Sequence, residues 1–586
     1  MLVIPAGGCG EFGKNLTVYV NGGVVLIADC GIQMPDDLTP GVEHLIPDFE
    51  PIVSRYGPPT AVLLTHGHED HIGALGYLLR HVDAPVPVYG RPLTLRLAER
   101  RLDRMGVPAA LRDLRDFVAN QPVYFSPLGE GGMEGARMVV TPLAMPHSIP
   151  ESCALLIESL PSAESPEEPR RRVLHTGDYK LDEMGEFAYA ALEQAPVDLL
   201  VGDSTNAQVP GKTACEHESS RALEALLQDP LRRGRIVVAL FSSHLDRVAR
   251  FAEACRRARR RLCLLGRGLQ DAVTAAERAR VLSLPADVMV APEQAGSLPP
   301  SQLAILCTGT QGERAAALGR LVSALDRGVP APFGSLRLGR GDTVVVSARI
   351  IPGHERPVGR LLDQLLLAGI EVMTGAPYAV SGHGSREDLC ALFRAARPRA
   401  VLPVHGTQRQ LHAHAALAEE MGIPALRCQD GDVVCIDDQI EITDRIESGS
   451  LCVEGGTIGE VGRETLQTRL RLSYTGVVAV AADPRGRGRF LVQAVGVRDS
   501  GPGLAALCSE AAEGAAAALR LLSDGELPSW PRLSSDECDA VVRAVRQIFH
   551  RRRGIKPAVL PVLPEGETRY DEGAIPPSEM AESRFE

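Results

Sequence analysis

Residues Ala61 to Leu75 read AVLLTHGHEDHIGAL and place His66, His68, Asp70 and His71 within one turn, directly after an apolar run. Imidazole nitrogen with carboxylate oxygen is a donor set that zinc accepts readily. Ala61 to Leu64 predict a strand ending at Thr65, and Gly67 permits a tight step, so that alternate side chains diverge toward two points. That arrangement suits two ions, with His66 and His68 facing one and Asp70 and His71 the other. The plainer reading is a polar loop capping a helix from Ile72, with Asp70 as its N-terminal charge. A cap, however, needs one polar residue, and this turn carries four.

Further ligands are sought at other strand ends. The apolar run over 137–146 finishes in Pro146, His147 and Ser148; a lone histidine after a strand is usually structural, but the first ion lacks a third protein ligand and His147 is read as that ligand. The segment VLHTGDYK puts Asp178 at a strand exit, either as a turn cap or as a carboxylate bridging two cations and offsetting their repulsion. His175 in the same strand reads as packing. Asp29, closing the strand-like run before it, reads as a carboxylate that orients a ligand histidine. The glycines from Gly7 to Gly13 form no phosphate loop, because no Lys-Ser/Thr pair follows and the next segment reads as strand.

The elements that must position these groups follow from patterning. Residues 2–31 hold two strand-like runs joined at Asn21, Gly22 and Gly23. Helical pattern runs from Ile72 to Arg104, broken by a short strand and turn over Pro85 to Pro92. Pro161 to Arg172 reads as a solvated hairpin insertion. After residue 205 the character changes: a helix over Ser219–Leu227, a buried strand over Ile236–Phe241 and a helix over Asp246–Arg260, with alternation continuing to about 370. This predicts a second α/β unit with a parallel sheet, inserted in the first because histidine-bearing strand ends resume at His383 and His405.

At 586 residues the chain exceeds one hydrophobic core, and about three domains are expected. Apolar residues make up 45% and charged residues 23%, a soluble globular balance. No apolar run is long enough to span a membrane and no leader pattern opens the chain, so a cytoplasmic location is the default expectation. Thirteen cysteines without a C-x-x-C pair predict reduced thiols rather than a thiolate metal site. The net charge of −12 disfavours broad nucleic-acid binding but leaves room for a locally basic channel.

The pattern H-x-H-x-D-H after a strand is similar to the signature of the metallo-β-lactamase fold. The ordered strings GGCGEFGKN, THGHEDHIGAL, HSIPES, TGDYK, GDSTNA, CTGTQGE, SGHGS and PVHG resemble the ribonuclease J family, in the β-CASP branch of that superfamily, over nearly the whole chain. The resemblance implies an α/β protein: an αββα sandwich formed by 1–205 and 375–435, a β-CASP domain at 206–374, a linker at 436–470 and a small α/β C-terminal domain at 471–564 serving dimer or tetramer formation. It implies two zinc ions per subunit, with manganese as the alternative. His66, His68 and His147 would hold one, and Asp70, His71 and His405 the other, with Asp178 bridging. Asp203, His383 and His405 would be the polar positions marking the branch. The implied activity is 5′→3′ exonucleolytic and endonucleolytic cleavage of single-stranded RNA, in mRNA decay and rRNA maturation, by a hydroxide that the two ions share.

Asp70, Asp178 and His383 are the expected catalytic residues, with His383 as general acid or electrostatic stabiliser. A pocket favouring a 5′-monophosphate would map to Ala379, Val380, Ser381, Gly382, His383, Gly384 and Ser385, with Ser347 and the turn Ser243, His244 and Leu245 nearby. Glu151, His244, Asp246 and His354 depart from the residues common in the family, and Asp246 puts a negative charge where a cation would help. The competing expectations are a β-CASP nuclease acting on DNA or mRNA 3′ ends, and a non-catalytic RNA-binding scaffold. In the last third, a hairpin turns at Asp483–Gly488, amphipathic helices cover Ala505–Leu522 and Ser535–Arg552, and a strand covers Ala558–Val562. The run His550 to Arg553 reads as a solvated helix end, and 565–586 as disordered.

Overall fold

Short, apolar, β-branched runs bounded by glycine and polar turns dictate the first part of the chain. In the computed structural model they form two facing sheets. The structure describes all residues except 128, 131–134, 162–165, 182–195, 328–332, 352–353, 484–488, 498–502, 523–532 and 563–586. The expected tail at 565–586, most of the Asp483–Gly488 turn and part of the Pro161–Arg172 insertion therefore lie outside the described residues.

One sheet has eight strands, in the order Ile440–Arg445, Asp432–Ile436, Leu2–Gly7, Leu16–Asn21, Val24–Ala28, Ala61–Leu63, Val86–Gly90 and Arg112–Asp116. The first 31 residues thus contain three main strands rather than two, because the glycine cluster at Gly7–Gly13 turns the chain between Leu2–Gly7 and Leu16–Asn21. The other sheet has seven strands, ending in the order Met138–Ala144, Cys153–Ser159, Arg172–His175, Leu199–Asp203 and Ala400–Val404. Leu26, Ala61 and Leu63 meet Leu155, Val173, Val201 and Leu402 in the core between the sheets. On the outer face of the second sheet, Leu156, Leu174 and Val401 pack under Leu389, Phe393 and Leu417 of two helices, Arg386–Ala396 and Gln408–Glu420. The layering is the αββα sandwich, and continuously buried strands such as Val24–Ala28 and Leu199–Asp203 account for it, since both faces of these strands are covered.

Leu199–Asp203 and Ala400–Val404 pair in parallel, Leu199 opposite Ala400 and Asp203 opposite Val404. Between them the chain builds a separate parallel sheet of five strands, Arg261–Leu265, Leu303–Cys307, Ile236–Ala239, Thr343–Val346 and Glu371–Thr374, with helices on both faces. A three-charge cluster ties this sheet's helices to the first domain. Lys180 donates to Glu216 at 2.9 Å, Arg247 donates to the same carboxylate at 2.7 Å, and Arg247 also donates to the Ser347 backbone carbonyl at 2.7 Å. Lys180 and Arg247 are each 1% exposed. Burial would raise the Glu216 carboxyl, but Arg247 and Lys180 outweigh it and hold it below its usual range.

Residues 35–43 and 452–586 form a second compact unit. Its sheet runs Phe490–Val495, Val477–Ala482, Ala558–Val562, and Val478, Val480 and Val559 pack beneath helices Gly503–Leu522 and Ser535–Arg553. The stretch read as a β-rich linker, 436–470, carries the strand Ile440–Arg445 at the edge of the eight-stranded sheet, the strand Ser450–Glu454 and the start of the helix Arg463–Thr475. The basic run His550 to Arg553 occupies the last turn of its helix, where the helix dipole favours cations, before Gly554 closes it.

Replacing Glu216 by Gln leaves two buried cations without their counter-charge, and about 3 kcal/mol of stability should be lost at neutral pH. The Glu216 carboxyl is depressed in the folded chain, so its contribution is present above the unfolded carboxylate range and fades as pH falls through the folded value. Denaturant midpoints for parent and E216Q should accordingly converge toward acid.

Candidate metal centre

The centre is assembled from strand exits. His66 follows Ala61–Leu63, His147 follows Met138–Ala144, Asp178 follows Arg172–His175, Asp203 ends Leu199–Asp203 and His405 follows Ala400–Val404. Exits on the carboxyl side of a sheet are where open α/β folds bind ligands. Gly31 lets the 66–71 turn approach: a Cβ there would lie 1.6 Å from the Asp70 carbonyl oxygen. Gly382 does the same for His147, whose Cε1 would meet such a Cβ at 2.7 Å. His405 turns inward from the left-handed region, φ 56°, a conformation costing a non-glycine residue roughly 1–2 kcal/mol.

Two sets of donors converge. His66 Nε2 lies 3.0 Å from His68 Nδ1, His147 Nε2 lies 3.3 Å from the same His68 atom, and Asp178 Oδ2 is 3.6 and 3.8 Å from His66 and His147. Across the carboxylate, Asp178 Oδ1 is 3.3 Å from both His71 Nε2 and His405 Nε2, while Asp70 Oδ2 is 3.7 Å from each ring. Within each set every donor atom lies within 4.8 Å of the others. Donors about 2.0–2.1 Å from a tetrahedral ion sit about 3.3 Å apart, so these spacings fit one cation per set with Asp178 shared.

The imidazoles are oriented from outside. His66 Nδ1 donates to Thr65 Oγ1 at 3.0 Å, and that hydroxyl donates to Asp29. His71 Nδ1 donates to Asp29 Oδ2 at 2.8 Å, and His147 Nδ1 to the Gly382 carbonyl at 2.7 Å. Each bond fixes the proton on Nδ1 and frees Nε2 to bind, the arrangement ligand histidines use. Asp29, 1% exposed and also accepting the Thr65 amide, is the common anchor. Burial would raise its carboxyl, but His71 and His175 hold it down at about 2.

Charge separates the two sets. Burial pushes the His66 and His147 imidazoliums well below their usual range, and His68 down to about 4, so the first set presents neutral rings. Burial also opposes the charged form of His71 and His405, but Asp178 and its neighbouring carboxylates outweigh it and raise both. Asp178 itself, despite burial, is held well below the carboxylate range by His405, His71 and His383. The donors fit divalent cations: a buried carboxylate faces four histidine nitrogens on two sides, and the protons on His71 and His405 stand where a cation would replace them. His383 stands beside both sets, 2.8 Å from Asp203 Oδ2 and 3.9 Å from Asp178 Oδ2.

Several sequence expectations change here. His175 is not mere packing: its Nδ1 pairs with the Tyr19 hydroxyl at 2.9 Å and its Nε2 lies 3.8 Å from Asp29. Asn15, within the GGCGEFGKN string, donates to the Asp70 carbonyl at 3.0 Å and escaped notice because no single-site pattern marks it. Of the residues expected to line a phosphate pocket, Leu245 and Val380 are packed in the interior, and Ser347 is fully buried with its hydroxyl donated to the Tyr378 carbonyl. Ser385 caps the helix Arg386–Ala396 and bonds Thr213. These four turn into the interior rather than toward solvent. Ser243, Ala379 and His383 are partly exposed, whereas His244, Ser381, Gly382 and Gly384 are buried. Glu151 accepts the Leu93 amide at 2.7 Å, capping the helix Pro92–Arg104.

Because Asp178 and its neighbouring carboxylates raise His71 and His405, favouring protons that a cation displaces, loading the ion-free protein should release protons. Titration with zinc in weakly buffered solution, followed by a pH indicator, measures this, and affinity should weaken as pH falls.

Comparison with known proteins agrees with this geometry. Residues 10–150 match the metallo-beta-lactamase superfamily, residues 233–365 the ribonuclease J beta-CASP domain, and residues 370–427 the Zn-dependent metallo-hydrolase RNA specificity domain. Ribonuclease J of Mycolicibacterium smegmatis is 33% identical over 505 residues, covering 83% of this chain and 84% of that protein. Ribonuclease J 1 of Streptococcus pyogenes is 31% identical over 494 residues, 82% of each chain, and ribonuclease J2 of Bacillus subtilis is 28% identical over 585 residues, 96% of this chain and 98% of that one. A protein of unknown function from Enterococcus faecalis shares the fold, with a TM-score of 0.50 at 15% identity over 74% of this chain and 99% of that one. The chain belongs to the ribonuclease J family of the metallo-beta-lactamase superfamily.

Proposed function

We propose that this chain is a ribonuclease that hydrolyses phosphodiester bonds of single-stranded RNA with two divalent cations, zinc foremost, working 5′→3′ from a 5′-monophosphate and also internally. The roles fitting it are mRNA decay and rRNA maturation. The observation that carries the proposal is Asp178, buried and flanked by His66 and His147 through one oxygen and by His71 and His405 through the other. When bound, the cations acidify a water molecule toward neutrality and offset charge on the phosphate oxygens. Asp70, His66, His68, His71, His147 and His405 hold them, and Asp29 keeps the rings of His66 and His71 aimed.

His383 supplies the proton that the leaving oxygen needs. Its Nδ1 donates to Asp203, leaving Nε2 free at a partly exposed rim. Burial works against its charged form, but Asp203 and Asp178 lift it to about 9, so it is an imidazolium at neutral pH. Ser243, Ala379 and the loop Ser381–Ser385, which carries His383, line the approach of RNA, where the buried His244 also lies.

The domain boundaries proposed are 1–205 with 375–435 for the catalytic sandwich, 206–374 for the β-CASP domain and 471–564 for the C-terminal domain. That last domain mediates dimer or tetramer assembly. Support comes from the sheet face turned away from its helices, where Val477, Ala479, Ala481, Leu560 and the exposed Leu491, Val495 and Val562 lie around a single polar residue, Gln493.

The deciding experiment digests end-labelled 5′-monophosphorylated RNA, 5′-hydroxyl RNA and single-stranded DNA, with and without chelator. Monophosphorylated RNA should be cut fastest, chelator should stop cleavage, and Asp178→Asn should lose it by at least about a thousandfold while remaining folded. Preferential cleavage of DNA, or an active D178N variant, would sink the proposal.

Turnover should also fall on the alkaline side as His383, which Asp203 holds in its charged form, loses its proton. Asp203→Asn removes that carboxylate, so the alkaline limb should move to lower pH. His383→Ala should lower kcat by about 10²–10⁴-fold and abolish the limb.

A further inference from the structure

A net charge of −12 makes RNA binding depend on cations placed at the site itself. Beside the centre, Lys180 and Arg247 are buried and already tied to Glu216, so neither offers free donors to a phosphate. Arg349 is different. It follows the strand Thr343–Val346 at the carboxyl edge of the inserted sheet, and its side chain is exposed. Among the described residues it makes no ion pair with a carboxylate, and of its five N–H groups only one, on Nη1, finds a protein acceptor, Asn206 Oδ1 at 3.3 Å.

The loop that bears it is built to hold it there. Gln311, 3% exposed, donates from Nε2 to the Arg349 carbonyl at 2.9 Å and accepts the Ile351 amide on Oε1 at 2.8 Å, clamping the backbone on both sides of Ile350. Asn206, 6% exposed, spends both amide hydrogens on the catalytic loop, one on Ser381 Oγ and one on the His383 carbonyl, each at 2.8 Å. Its remaining carbonyl oxygen is what Arg349 meets. A planar guanidinium with one edge pinned and the other open is therefore one residue removed from the loop carrying His383. Fork geometry of this kind suits the non-bridging oxygens of a phosphate.

We infer that Arg349 is a phosphate-binding residue for the RNA backbone, seating a nucleotide next to the scissile bond through its open edge while Asn206 fixes its position. The inference rests on the ribonuclease reading above and deepens it.

The test uses the full-length metal-loaded enzyme and 5′-monophosphorylated single-stranded RNA, with kcat/KM followed as KCl is raised. Arg349→Gln should lower kcat/KM about tenfold at low salt, as one charge-assisted hydrogen bond predicts. It should also make the slope of log kcat/KM against log salt shallower by about 0.7, the signature of one phosphate contact on a single strand. Arg349→Lys should keep the parental slope, because the charge remains, with melting temperatures unchanged in both variants. A parental slope in R349Q overturns the inference, as does an R349K variant whose slope falls like that of R349Q, since that would make the arginine only a partner of Asn206. A parent enzyme that spares RNA overturns the ribonuclease reading instead, and that is seen without either variant.

Discussion

Three carboxylates, Asp29, Asp178 and Asp203, are buried almost completely within one small region, and the rest of the structure answers to them. An unpaired ionised carboxylate in a protein interior is among the costliest groups to bury, so each must be surrounded by donors or cations. Asp29 is satisfied by Thr65 and His71, Asp203 by His383, and Asp178 by histidines approaching from two sides. Those partners come from exits of both sheets, and the turn bearing His66 to His71 belongs to one while Asp178 and His405 belong to the other. Asp29 finds its partners within its own sheet, but the sandwich must close before Asp178 is compensated.

Much of the centre was legible because its signal is local. Four ligand-type residues between His66 and His71 are visible in a single line of sequence, whereas His147 and Asp178 stand singly at strand ends and His405 takes its role from a resemblance that spans the chain. What escaped was compensation at a distance. His175 in an apolar strand looks the same whether it packs or hydrogen bonds, and only the fold brings it to Tyr19 and Asp29, 156 positions away in the first case. Lys180, Glu216 and Arg247 are likewise unremarkable as letters and form one buried cluster. Leu245 and Val380 stand inside motif strings, yet a string does not say which side chains turn inward.

The same distinction holds for the secondary structure. The helices Gly503–Leu522 and Ser535–Arg553 lay a continuous apolar stripe on a sheet, which periodicity reveals. The helix Arg463–Thr475 has no buried residue, so no stripe marks it and its stretch reads as a connection. Ile440–Arg445 is largely exposed at the edge of its sheet and gains its strand character from pairing with Asp432–Ile436 rather than from its own composition.

The pairing of Leu199–Asp203 with Ala400–Val404 carries a consequence for synthesis. The whole inserted sheet lies between these neighbours, so the second layer of the sandwich stays one strand short until ribosomal elongation has passed it. His405 arrives with that last strand. A chain interrupted at any earlier point lacks both the closing strand and one of the two histidines that face Asp178 Oδ1, so the nascent polypeptide has no finished cutting centre until residue 405 has been made.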